Sequence, residues 1–84
     1  MGNKYYIKCI KANKIHIFDG EEMIEISLDN PPIGHGYYKK RDANEIIEIL
    51  EATNETNCDI TLISEKEFVA LRIDWCNDYL EHYF

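Results

Sequence analysis

Seven carboxylates in the C-terminal half recur at the spacing of a helix face. Glu45, Glu48, Glu51 and Glu55 form one row, and Asp74, Asp78 and Glu81 form a second. No Lys or Arg interrupts either row, and like charges three or four residues apart cost an isolated helix about 0.2–0.5 kcal/mol per pair. Glu51 and Glu55 also fall toward a helix C-terminus, the end that the aligned peptide dipoles make negative. Rows of this kind either solvate a surface or meet a basic partner. In the second case the carboxylates stand in for phosphates, and charge complementarity speeds association. The partner this predicts is a basic protein, such as a nuclease or another nucleic-acid-binding complex.

The segment GHGYYKKR offers a different chemistry. Gly34, His35, Gly36, Tyr37, Lys39, Lys40 and Arg41 set backbone donors, cations and a helix start together, which are the parts of a phosphate cradle. Both the third glycine of a dinucleotide fingerprint and the G-x-x-x-x-G-K-[ST] pattern are missing, and Asp42 would repel an anion. The plainer reading is a structural loop whose cations offset the acidic helix beside it; a small-ligand or nucleotide site is the alternative. His35, free to move between two glycines, is the histidine best placed for acid–base work. No nucleophile signature accompanies it, so no enzyme activity is expected.

A third constellation is Lys4, Tyr6, Lys8, Lys14, His16 and Phe18. On one sheet face these would make a basic and aromatic platform for single-stranded nucleic acid, but no RNP consensus is present and the chain as a whole is acidic. A homodimer face or an ordinary sheet edge also fits. His16, His35, His82 and the three cysteines lack zinc-ligand spacing, and Asp19–Glu22 is too short for a calcium loop, so no metal and no cofactor is expected. Cys9, Cys58 and Cys76 are odd in number and far apart, which points to reduced thiols rather than a disulfide framework.

Charge is divided along the chain. Residues 1–41 carry seven Lys/Arg against five Asp/Glu, and residues 42–84 carry two against eleven, which together give the net −7. An acidic chain of this kind favours basic partners over nucleic acid itself. No apolar run approaches the ~20 residues of a membrane span, and Met1–Lys4 leads straight into an alternating strand rather than a signal peptide, so a cytoplasmic protein is expected.

The elements that must carry these residues follow from periodicity. Three strands in a meander are predicted over residues 1–28, with a turn at Asn13 and a type I′ turn at Asp19-Gly20 that pairs Phe18 with Glu21. Ile15, Ile24, Ile26 and Leu28 then face the core. Residues 29–41 form a loop stopped at Pro31-Pro32. Residues 42–84 read as helix, strand, helix, with Asp42 and Ser64 as N-caps backed by Glu45 and Glu67. Phe68, Leu71, Trp75, Tyr79, Leu80 and Tyr83 line one side of the last helix.

The prediction is therefore one α+β domain spanning 1–84 in the order βββαβα, a two-layer arrangement with a mainly antiparallel sheet and both helices on one face. Its expected role is that of a small acidic inhibitor or immunity-type protein. By size and charge it shares the logic of anti-restriction, anti-CRISPR and toxin-immunity proteins.

Overall fold

The computed structural model describes residues 3–53 and 58–83. Six elements appear in the expected order: β1 (Tyr5–Lys11), β2 (Lys14–Phe18), β3 (Met23–Glu25), α1 (Lys40–Thr53), β4 (Asp59–Ser64) and α2 (Glu65–Tyr83). The strands form one antiparallel sheet in the order β3-β2-β1-β4, which makes the chain a single α+β domain.

β1 and β2 meet at Ala12-Asn13, both with positive φ (53° and 63°), so that Lys11 pairs with Lys14. Two consecutive left-handed residues give the type I′ geometry whose twist matches the strands it joins. The turn holds no extra residue, and its register puts Cys9 opposite His16 and Lys8 opposite Ile17.

The β2–β3 connection differs from expectation. Phe18 pairs with Met23, not Glu21. Asp19 Oδ1 accepts the backbone N–H of both Glu21 and Glu22, at 2.8 Å each, and the Asp19 N–H donates to the Glu22 carbonyl. This side-chain capture of two donors makes a four-residue loop more favourable than a tight Asp-Gly turn. Because the register moves by two residues, each side chain keeps its face. The third strand also ends early, in a Ser27–Asn30 turn closed by backbone bonds in both directions.

The larger correction concerns the layers. Neighbouring residues of β1, β2 and β4 are buried in different cores. Tyr6, Ile17 and Ile63 pack with Phe68 of α2, whereas Ile7 and Phe18 pack with Ile47 of α1. Adjacent residues of a strand point to opposite faces. The helices therefore cover opposite faces of the sheet, and the two-layer expectation with both helices on one face is overturned. The physical reason lies in the strands: Tyr6-Ile7, Ile17-Phe18 and Leu62-Ile63 place large apolar groups on both faces, and a sheet apolar on both sides needs two covers.

On the α2 side the Tyr6 and Phe68 rings stack at 3.9 Å between centroids and 9° between planes. Farther along α2, Trp75 Nε1 donates to the Ser27 carbonyl at 2.6 Å, tying the helix to the end of the meander. No helix among the described residues is long and apolar enough to cross a membrane.

Candidate functional site

α1 is capped three residues earlier than expected, at Lys39 rather than Asp42. Lys39 occupies the cap position, its carbonyl accepting from the N–H groups of Asp42 and Ala43, and Asp42 lies inside the first turn. Lys40 and Arg41 therefore sit in the first turn, where the helix dipole disfavours cations, and the last turn contains no base. Ala43, Ile46, Ile47 and Leu50 turn toward the sheet, which leaves Glu45, Glu48 and Glu51 exposed along the outer side. Among the described residues none of the three is in an ion pair, although Arg41 and Glu45 have the spacing for one; the ion pair present is Lys14–Glu25 at 3.6 Å, on the sheet. Glu55 lies outside the described residues.

The second acidic row is placed differently. Ser64 caps α2 as expected, its Oγ accepting the Glu67 N–H at 3.2 Å. Asp74, Asp78 and Glu81 are exposed, but Asp74 and Asp78 line an open cleft of about 490 Å³ between α2 and the meander. Its apolar walls include Ile15, Ile26, Leu71 and Trp75, and Lys14 reaches the rim. With the helices on opposite faces of the sheet, the two rows do not form one continuous acidic surface. The α1 row stands alone on its side, and the α2 row borders a cleft on the other.

The Gly34–Arg41 segment is built into the core edge. Tyr5 and Tyr37 exchange backbone hydrogen bonds of 2.7 and 2.9 Å, and the His35 N–H donates to the Phe18 carbonyl at 3.1 Å. A Cβ at Gly34 would lie 2.5 Å from Ile17 Cγ2, and one at Gly36 would lie 2.7 Å from Lys4 Cδ. Both glycines thus serve close packing against β1 and β2. The His35 ring meets the Tyr37 ring edge-on, and the Lys4 ammonium lies over the Tyr38 ring at 5.1 Å. Lys39, Lys40 and Arg41 are exposed at the helix start.

The basic and aromatic platform is divided by the hairpin register. Tyr6 and Lys8 share the α2 face with Ile17, while His16 and Phe18 share the α1 face with Cys9. Tyr6 and Phe18 are both buried, so neither presents a ring to a base.

One feature that sequence reasoning missed is a thiol pair. β1–β4 pairing sets Cys9 opposite Ile60, and Cys58 lies two residues before Ile60 on the same face, its side chain hydrogen-bonded to Cys9. Burial first, and then this bond, push the Cys9 thiol up to about 11, which makes it a poor nucleophile at neutral pH. Only the strand register could have brought the pair together, and no spacing in the sequence announces it. Among the described residues no group of three or more His, Cys, Asp or Glu converges to hold a metal ion. Comparison with protein-family models, curated proteins and solved structures finds no match.

Proposed function

We propose that the chain is a non-catalytic binding protein whose α1 outer face docks on the basic surface of a nucleic-acid-handling partner, in the manner of an inhibitor or immunity protein of the cytoplasm. The observation that carries this reading is the charge order of α1. Cations occupy its first turn and unpaired carboxylates run to its last, the reverse of what the helix dipole favours. A row used only for solubility would gain stability from a few Lys residues at the same spacing. A row used for recognition keeps its carboxylates uniform.

The reading rests on α1 rather than on both helices together, since the sheet separates the two rows. The glycine loop is occupied by packing and the sheet platform is divided, which leaves the α1 row as the candidate surface that keeps its predicted residues on one side, with Ile49 exposed beside them.

The test is capture of proteins from a host lysate on the immobilised chain, beside the triple variant Glu45→Gln, Glu48→Gln and Glu51→Gln. Basic nucleic-acid-binding proteins are expected on the wild type, released as salt rises past the point where charges several ångströms apart are screened, and absent from the variant. The variant should also gain about 0.5–1 kcal/mol of stability through relief of like-charge pairs. Identical capture by both chains, or capture indifferent to salt, contradicts the proposal.

A further inference from the structure

α2 carries two apolar stripes, and the fold uses only one. Phe68, Leu71, Trp75 and Tyr79 turn toward the sheet and the meander, with Phe68 buried and the others half-buried. On the solvent side lie Val69, Ile73, Cys76, Leu80 and Tyr83, at alternating steps of four and three. Val69 is 45% exposed, Ile73 55%, Leu80 52% and Tyr83 54%, and Cys76 is exposed among them. A spacing of 3.5 residues is the signature of a seam that packs against another helix.

The charges around this seam are unlike those of the rest of the C-terminal half. Lys66 and Arg72 are the two cations of residues 42–84, and both fall on the seam side, Lys66 continuing the four-three pattern and Arg72 beside Ile73. Asp74 and Asp78 lie on the flank that borders the cleft. Glu65 adds one carboxylate at the N-terminal end, beside Lys66 and Val69. In a strongly acidic chain, a face with two cations against one anion is where a second copy can approach with least repulsion.

We infer that this outer face of α2 pairs with the same face of a second copy of the chain, antiparallel about a two-fold axis. In that arrangement Val69 meets Leu80 of the second copy, Ile73 meets its Cys76, and Lys66 lies against the ring of its Tyr83, where an ammonium is favoured. A parallel pair would instead set the two Lys66 side chains together. The seam from Lys66 to Tyr83 is about 26 Å long at 1.5 Å per residue. Covering it on both copies removes roughly 1,000 Å² from water, the lower limit for a specific interface, so a weak and closed dimer results. The pairing leaves α1 free and is independent of the proposed basic partner.

Sedimentation of the full chain over roughly 10–1,000 μM tests it, with an expected dissociation constant of order 10–100 μM. Higher salt should tighten the dimer, because screening reduces repulsion between two chains of charge −7; capture of a basic partner moves the other way. Ile73→Glu and Leu80→Glu, both at exposed positions and checked for fold by circular dichroism, should each weaken the dimer at least about tenfold. A short bismaleimide should join Cys76 to Cys76 in the wild type, and Cys76→Ser should abolish the cross-link. Ile49→Glu, at an exposed apolar position on α1, should change nothing. A monomer throughout the range, a dimer indifferent to Ile73→Glu, or one lost with Ile49→Glu overturns the inference.

Discussion

The two helices cover opposite faces of one sheet and turn different chemistry to solvent. α1 buries Ala43 and Ile47 and shows Glu45, Glu48 and Glu51, an amphipathic division whose outer side is acidic apart from the exposed Ile49. α2 buries Phe68 alone and shows Val69, Ile73, Leu80 and Tyr83 beside Lys66 and Arg72. Net charge per half-chain therefore does not describe either surface. The acidic half holds one face lined by carboxylates and another that sets Lys66 and Arg72 against Glu65, with the sheet between them.

The contrast breaks first in the cores. Phe68→Ala removes the one buried side chain of α2 and its stack on Tyr6, and should cost about 3–5 kcal/mol in urea denaturation. Ile47→Ala on the α1 side should cost about 2–4 kcal/mol. If the two helices shared one core, the double variant would depart from additivity. Separated by the sheet, the two losses should add within about 0.5 kcal/mol.

Next in size is Gly34→Ala, expected to cost about 1–3 kcal/mol because its methyl would press on Ile17 at 2.5 Å. A neutral result would contradict the close packing of Gly34 on Ile17. The smallest effect separates two thiols. Cys9, on the α1 side, has its pKa raised from 9.0 to about 11 and should react with maleimide at least about 100-fold more slowly than a thiol at the ordinary value. Cys76, exposed on the α2 seam, should react readily while the chain is monomeric. A raised thiol pKa means that the protonated form is favoured in the folded state. The Cys9 contribution to stability is thus complete below about pH 9 and is lost as pH rises toward about 11. Cys9→Ser should reduce that loss.

Element order was legible in the sequence because each segment repeats its period clearly. The three strands fall within residues 1–28 as the alternation predicts, and Ser64 caps α2 as its type and position predict. Which face each helix covers was not legible. It depends on reading Tyr6 and Phe18 as core rather than platform, and an aromatic flanked by Lys or His suits either role until the register at Ala12-Asn13 is known. Asp19-Gly20 misled for a related reason: the dipeptide favours a tight turn, but the Asp19 carboxylate gains more by accepting from Glu21 and Glu22. That interaction also holds its carboxyl below the usual range. The outer stripe of α2 was present at Val69, Ile73 and Cys76, but Leu80 and Tyr83, expected on the inner side with Phe68, are about half exposed and complete it, the Tyr83 ring lying 4.7 Å from that of Tyr79. Of the candidate site, the α1 row was visible from spacing alone. Its isolation from Asp74 and Asp78 required the sheet.

The central claim is that the α1 carboxylates form a recognition surface distinct from the remaining negative charge. Titration of the ¹⁵N-labelled chain with a short oligo-lysine peptide, followed through its amide resonances, tests this most directly. Saturable shifts concentrated at Glu45, Glu48 and Glu51, with the Val69–Tyr83 seam unmoved, are the predicted result. Shifts spread evenly over Asp19, Asp29, Asp59 and the α1 row alike would show only diffuse attraction to an acidic protein, and would contradict it.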